Sequence, residues 1–338
     1  MTTNLAARLV KAVASFSVIR AILEGIPLGI YRIQVGLELR NALFVNSVLF
    51  NCETWHSLID SDMKDIVLID HQLLRYICQA QAKIPLKFLY LETGSISLSH
   101  IISSRRINYL YEIITRSDSE LIKRVYMAQK ESPSHGDFVN LVRSDLVFIG
   151  ITYDEKIFCQ MSQAQFKSLI HKKIYSAAFN ELISLQAQHS KVRDCPYKDL
   201  SIQKYLKSPD FSIEECNLLM AFRSHSVRSF KANFSSIHKK DMSCPLKCVS
   251  HHEDSQIHLM SCASIFSRLD SKYIQETKDI IYSDIYGEPH HQKTAIRHLS
   301  ALLAVRNTII EELQSTTAST SGPSLDIAPP DSQGSSGD

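Results

Sequence analysis

Apolar residues recur at helical spacing along most of this sequence. The longest example spans residues 163–188, where Phe166, Ile170, Ile174 and Ala178 follow one another at intervals of four. That period places an apolar stripe along one side of a helix and directs it toward a core. No segment of useful length alternates apolar and polar residues as a half-buried strand does. The pattern therefore predicts a mainly α fold, a multi-helix array.

Breaks in the apolar pattern separate the predicted helices. Pro85 ends one pattern, and residues 132–136, Ser-Pro-Ser-His-Gly, interrupt another. Residues 88–92 are too short for a long helix, so we expect an extended segment or a single turn there. The stretches that we expect to be helical are 1–25, 37–58, 61–77, 98–114, 118–130, 137–149, 163–188, 212–222, 271–282 and 292–313.

Three serines mark helix starts. Ser162 precedes the longest apolar stripe, and Ser212 with Glu215 three residues later has the spacing of a capping box. Ser61 can cap a third helix, whose first turn holds Asp62 near the positive end of the helix dipole.

Composition supports a helical intracellular protein. Only ten glycines occur in 338 residues, which leaves little material for hairpins or phosphate-binding loops. Most of the eight cysteines stand singly, unlike a secreted disulfide framework, and this favours a reducing compartment, the cytoplasm or nucleus. The N-terminal apolar run lacks the features of a signal peptide. No window is apolar for long enough to span a membrane, so we expect no membrane partner.

Charge and composition shifts predict a division of the chain. Residues 156–247 hold 15 Lys or Arg against 7 Asp or Glu, a local charge of 15 − 7 = +8, although the whole chain carries only +2. The end of the chain is rich in Ser, Thr, Pro and Gly and should be disordered. The predicted units are an N-terminal helix (1–36), a helical domain (37–150), a basic helical segment (151–240), a metal module (241–265), C-terminal helices (266–313) and a disordered tail (314–338).

A cluster of potential metal ligands lies near the end of the basic segment. Cys244-Pro-Leu-Lys-Cys248 is followed, after nine residues, by His258-Leu-Met-Ser-Cys262. Three thiolates and one imidazole are a common set for a closed, tetrahedral Zn²⁺ site. His258 and Cys262 are four residues apart, so one helical turn would place both on the same side. We therefore predict a zinc site formed by these four residues.

Two alternatives to this ligand set stay open at this point. His251 or His252 could take the place of His258, although solvated surface histidines are the simpler interpretation. The cysteines could also be ordinary buried residues, because free cysteine is among the most buried residue types.

The stretch before the cysteines mixes cations with aromatic residues, as single-stranded nucleic-acid sites do. The residues that we predict to contact phosphates or stack on bases are Arg223, Arg228, Phe230, Lys231, Phe234, Lys239, Lys240 and Lys247. In the alternative interpretation the phenylalanines pack the metal module and the cations form a solvated surface. Arg105 and Arg106, in a predicted helix, are better explained as salt-bridge partners.

Several stretches, in order and at matching spacing, resemble the C-terminal region of jockey-like non-LTR retrotransposon reverse transcriptases. The likeness covers residues 30–265, although the family more often has Cys-x₂-Cys where this chain has Cys-x₃-Cys. The matching stretches are LRNALFVNSVLFNCETW (39–55), DHQLLR (70–75), FLYLETG (88–94), ISSRRINYL (102–110), HSK (189–191), YKDLSIQKYL (197–206), CPLKC (244–248) and EDSQIHLMSC (253–262).

The resemblance implies binding rather than catalysis. In that family an Asp-Asp turn upstream holds the catalytic Mg²⁺ ions, and this sequence contains no Asp-Asp dipeptide. We therefore expect a separated, non-catalytic terminal piece that binds RNA or single-stranded DNA, with other retrotransposon domains as further partners. A helical protein-interaction scaffold with a purely structural zinc site is the alternative. A zinc hydrolase is disfavoured, because four protein ligands leave no open position for water.

Overall fold

The described part of the chain is mainly helical. The computed structural model describes residues 2–26, 31–55, 60–134, 136–188, 195–227, 230, 243–246, 248 and 253–320. Within these ranges no β-strand forms, and only two isolated antiparallel bridges occur, Thr93 with Ile202 and Ser243 with Glu253. The predicted mainly α class is confirmed. No helix among the described residues is both long and apolar enough to cross a membrane.

Fourteen α-helices are present in the described ranges, together with short 3₁₀ turns and one π-helical turn. They are α1 (Thr2–Glu24), α2 (Tyr31–Leu39), α3 (Asn46–Val48), α4 (Asp60–Cys78), α5 (Leu86–Thr93), α6 (Leu98–Ile114), α7 (Leu121–Glu131), α8 (Phe138–Phe148), α9 (Glu155–Gln160), α10 (Gln163–Ala187), α11 (Ile213–Arg223), α12 (Ala263–Phe266), α13 (Ser271–Thr277) and α14 (Pro289–Thr320).

Two hydrophobic cores organise these helices. The first unites the N-terminal helices with α11, the cysteine-rich segment and α14, and its buried members extend from Ala12 to Ile309. The second lies between α6 and α10, where the rings of Tyr111 and Phe166 stack 4.7 Å apart. The buried members of the second core extend from Leu91 to Leu200, and residues on both sides of position 150 contribute to it.

The serine caps at two helix starts are as predicted. The Ser162 hydroxyl accepts a hydrogen bond from the Gln165 amide at 3.3 Å, and the Ser212 hydroxyl accepts one from the Glu215 amide at 3.2 Å. In both cases the side-chain oxygen of the second residue, Gln165 or Glu215, accepts a hydrogen bond from the serine amide. The two reciprocal bonds form a capping box. Ser61 lies one residue inside α4, because that helix begins at Asp60.

Three predicted helical bounds are wrong. The single helix expected over 37–58 begins at Tyr31, passes through a π-helical turn at Arg40–Val45 and ends at Val48, before Asn51 adopts a left-handed φ of 59°. The stretch that contains residues 88–92 is the two-turn helix α5, not an extended segment. Helix α14 continues through the start of the predicted tail, and residues 321–338 lie outside the described part of the chain.

Buried ion pairs join helices that are distant in sequence. Arg40, in the π-helical turn, contacts the Asp70 carboxylate of α4 through two hydrogen bonds of 2.6 and 2.7 Å. Burial by itself would lower the pKa of the Arg40 guanidinium, but the charge of Asp70 and its hydrogen bonds to Arg40 together outweigh burial, and the pKa is raised. Arg106 is also buried and pairs with Asp145 at 2.7 Å, so the salt-bridge interpretation holds for Arg106. Arg105 instead donates to the carbonyl of Leu49 and to the side-chain oxygen of Asn46.

Candidate metal centre

Short loops bring the four predicted ligands to one place. The bridge between Ser243 and Glu253 closes a loop that carries Cys244 and Cys248. His258 begins a 3₁₀ turn that ends at Ser261, and Cys262 follows in an extended conformation. The turn between His258 and Cys262 is therefore 3₁₀ rather than α-helical, yet it still places both side chains in the cluster.

The ligand atoms lie close enough to share one ion. The three sulfurs and one imidazole nitrogen of Cys244, Cys248, His258 and Cys262 all lie within 4.8 Å of one another. The Cys248 sulfur is 3.7 Å from that of Cys244 and 3.1 Å from that of Cys262. A tetrahedral ion with metal–sulfur bonds of about 2.3 Å places its sulfur ligands about 3.8 Å apart, so the set fits with small adjustments. The cluster could hold a metal ion.

Burial makes this site part of the first core. All four side chains are buried, and the neighbouring Leu246, Leu259 and Ile265 belong to the same core. Burial raises the pKa of the Cys262 thiol to about 12 and also raises the pKa of Cys244. For Cys248, burial is outweighed by hydrogen bonds from Cys262 and Ser264, and the pKa is lowered. A bound cation would favour the thiolate form of all three.

The loop between Cys248 and His258 is fixed to α14. Asp254 accepts hydrogen bonds of 2.8 and 3.1 Å from Nη2 of Arg306, and both side chains are buried. The Arg306 guanidinium also lies 4.6 Å from the centre of the Phe230 ring, a cation–π distance. The amide of Gln256 donates to the carbonyl of Phe222 at 2.5 Å, which fixes the loop to the end of α11.

Arg223, which we predicted to contact phosphates, is buried in an ion pair. Its side chain is only 2% exposed and donates from Nε to the Glu92 carboxylate at 3.0 Å. The hydroxyls of Tyr197 and Tyr205 donate to the two oxygens of the same carboxylate, at 2.5 and 2.6 Å. The charge of Glu92 compensates for the cost of burying this guanidinium. Because the guanidinium is enclosed, none of its faces is exposed to a phosphate.

Phe230 is likewise not available to stack on a base. Its ring is 1% exposed and belongs to the first core, beneath Arg306. The packing interpretation is therefore correct for this residue. The remaining predicted contacts, together with His251 and His252, lie outside the described residues: Arg228, Lys231, Phe234, Lys239, Lys240 and Lys247.

The sequence analysis missed the residues that support the site, Arg306 above all. A signal was present, because Arg306 occupies an inward position in the stripe of α14 that contains Leu299, Leu302 and Ile309. A cation at a core position of a helix implies a buried anion, but the sequence does not say which acidic residue supplies it. Glu92, inside the apolar run of α5, is the same kind of signal.

No family model, no curated protein and no solved structure matches this chain.

Proposed function

We propose that this chain is a non-catalytic, zinc-stabilised module that binds single-stranded nucleic acid, as its resemblance to the end of retrotransposon reverse transcriptases implies. The observation that carries the proposal is the closed Cys₃His cluster directly after a lysine-rich segment. Three sulfurs and one imidazole favour Zn²⁺ among common metals, and four protein ligands leave it no position for a reacting water. The ion would act by holding the fold together.

The zinc site would position the lysine-rich segment 231–242. Phe230, on one side of that segment, is buried in the first core, and Ser243 and Cys244, on the other side, belong to the metal loop. Lys231, Lys239 and Lys240 therefore lie between two anchored points of the chain. Cations held near one another attract a phosphate backbone more strongly than the same cations on a free chain, because less conformational entropy is lost on binding.

Helix α10 supplies further cations. Residues 156–180 contain four lysines and no acidic residue. Lys167 and Lys172 are exposed and Lys173 is half-buried, and none of the three forms an ion pair within the described part of the chain. His171, on the same helix, stacks on Tyr175 with ring centres 4.4 Å apart. Among the described residues, these exposed cations of α10, rather than the buried Arg223, form the surface along which a phosphate backbone could lie.

The direct test measures binding of RNA and single-stranded DNA oligonucleotides by fluorescence anisotropy at several salt concentrations. We expect salt-sensitive binding of the oligonucleotides. This binding should weaken when Cys244 and Cys248 are both replaced by Ser or when zinc is chelated. Cys159→Ser, at an exposed cysteine far from the cluster, should leave binding unchanged. A protein that contains zinc and is folded but retains neither nucleic acid at low salt would refute the proposal.

A second test locates the contacts. Replacing Lys167, Lys172 and Lys173 together by Gln should reduce the slope of log affinity against log salt by about 2, since each phosphate contact on a single strand contributes roughly 0.7. The matched control replaces Lys87 of α5, Lys272 of α13 and Lys278, which directly follows α13, and all three are exposed. Equal losses in both triple variants would indicate net charge alone rather than a site on α10.

A protein-interaction scaffold is the second candidate function, and helix α1 favours it. Val10, Val13, Val18 and Ile22 are exposed on this helix although all are large and apolar. Exposed apolar groups of this kind are typical of interfaces. Val13→Glu with Val18→Glu should abolish a protein complex without altering oligonucleotide binding if the scaffold function is correct. A change in oligonucleotide binding alone would favour the nucleic-acid function.

A further inference from the structure

A cavity between α4 and α6 lies apart from the metal centre. Its volume is about 640 Å³, within the range of sites that bind small organic molecules. Its walls are mainly apolar and come from four helices, with Tyr90 of α5 and Leu141 of α8 completing the lining. The apolar wall residues on α4 and α6 are Met63, Val67, Leu68, Leu98 and Ile102.

The charged groups in this lining favour a negatively charged ligand. Lys64 and Arg106 line the cavity, and no carboxylate does among the described residues. Arg106 is only 8% exposed, and its Nε has no hydrogen-bond partner in the described part of the chain, although Nη1 is paired with Asp145. The first turn of α6, Leu98 and Ser99, also lines the cavity, and the amides of a first turn add positive potential.

Neutral polar groups complete the lining, namely Tyr90, three serines (97, 99 and 103) and His71. His71 is half-buried, with its ring edge toward Tyr90 at a centre distance of 6.0 Å. Burial lowers the pKa of His71, so its imidazole is uncharged near neutral pH and can donate or accept one hydrogen bond.

We propose that this cavity binds a compact amphipathic anion, a molecule with an apolar body and a single acidic group. The apolar body would lie against Val67, Leu68 and Ile102, and the acidic group would face Lys64, Arg106 and the first turn of α6. The inference does not depend on the nucleic-acid function, because it uses neither the metal loop nor α10.

The probe for this site is anilinonaphthalene sulfonate, an aromatic anion, compared with phenylnaphthylamine, which has the same apolar body without the sulfonate. We expect fluorescence titration of the full chain to show one saturable site for the anion and weaker binding of the uncharged dye. Lys64→Glu should lower the affinity for the anion by roughly threefold to tenfold, the range of a surface charge interaction. The affinity for the uncharged dye should not change. Lys278→Glu, a reversal at another exposed lysine, should affect neither.

Variants of the apolar wall test the location. Leu68 is 52% exposed, so the Leu68→Ser variant should fold normally, and it should bind both dyes more weakly. The control is Leu121→Ser, at a 74% exposed leucine on α7, which should not change the affinity for either dye. Val67→Phe, which fills the cavity, should block both, with a thermal melt to show that the protein is folded. Unsaturable dye binding, or binding that Leu68→Ser and a folded Val67→Phe both leave intact, would overturn the site. An equal effect of Lys64→Glu on both dyes would overturn the anionic class of ligand.

Discussion

Arg306 and Asp254 form a buried ion pair that joins α14 to the loop between Cys248 and His258, two of the four residues that could hold a metal ion. Nη2 of Arg306 lies 2.8 Å from one carboxylate oxygen of Asp254 and 3.1 Å from the other. Asp254 stands four residues before His258, so the pair fixes the approach of the histidine to the three sulfurs. The cluster is thus supported by a long-range contact that is independent of any ion.

Loss of Arg306 should destabilise the protein strongly. Arg306→Met removes the guanidinium that pairs with the buried Asp254 carboxylate, and removing one member of a buried pair costs about 3–5 kcal/mol of unfolding free energy. Urea unfolding followed by circular dichroism measures this. The double variant Arg306→Met with Asp254→Asn should recover a part of the loss, because no buried charge then remains.

An exposed ion pair between Glu312 of α14 and Arg268, which follows α12, provides the control. Arg268 and Glu312 are 2.9 Å apart and about half exposed, so Arg268→Met should cost less than about 1 kcal/mol. Equal losses at Arg268 and Arg306 would contradict the importance that we assign to burial.

Gly94 should tolerate no side chain. It ends α5 with a left-handed φ of 63°, and a Cβ atom there would lie 2.5 Å from the backbone nitrogen of Ile202. Gly94→Ala should therefore cost more than about 3 kcal/mol, the sum of backbone strain and a clash with backbone atoms that cannot move aside. Gly150 has a similar φ of 68° but open space around it, so Gly150→Ala should cost only about 1–2 kcal/mol. The denaturant midpoint of Gly150→Ala measures the cost of backbone strain alone. The additional loss in Gly94→Ala measures the cost of the steric clash.

Removal of one sulfur ligand should release the metal. Cys262→Ser should lower zinc affinity by at least about 100-fold, more than the loss of a residue that merely supports a ligand. Competition with a chromogenic chelator measures the affinity, and mass spectrometry under native conditions counts ions per chain. Cys159→Ser removes an exposed cysteine and should bind one ion as the unaltered protein does. Equal zinc content in the two variants would rule out Cys262 as a ligand.

Stability should fall at alkaline pH because of buried tyrosines. Burial raises the pKa of Tyr197 and Tyr205 well above the ordinary value, and the Glu92 charge raises both further. Below about pH 10 these hydroxyls keep their protons in folded and unfolded chains alike, so stability is unaffected. Above it the unfolded chain releases protons that the folded chain retains, and unfolding free energy falls by about 1.4 kcal/mol per pH unit for each tyrosine.

Urea unfolding between pH 8 and pH 11 tests this slope. Tyr205→Phe should make the alkaline slope shallower by about 1.4 kcal/mol per pH unit. Tyr31→Phe should not change it, because the Tyr31 side chain is 65% exposed in the folded protein. A slope that is the same in Tyr205→Phe and the unaltered protein would contradict the role of this buried hydroxyl.

Features that depend on neighbours in sequence were the most predictable. The capping boxes at Ser162 and Ser212 form between residues three apart, and the sequence places those residues together in any helix. The helix expected over 37–58 was wrong at its end, because Asn51 takes a left-handed conformation that apolar periodicity does not record. Periodicity likewise did not separate helix from strand over the short apolar run of α5.

The sequence by itself determined the helical class, two helix starts and the four side chains that could share a metal, because each depends on residue type at short spacing. Only the tertiary structure decided which charges are buried. Arg223 and Phe230 follow one another in a basic, aromatic stretch, and the sequence gives no sign that Glu92, 131 positions away, encloses the arginine. The reason is physical: a cation in water and a cation paired inside a core have the same covalent structure, and only the folded chain brings the partner that makes burial favourable.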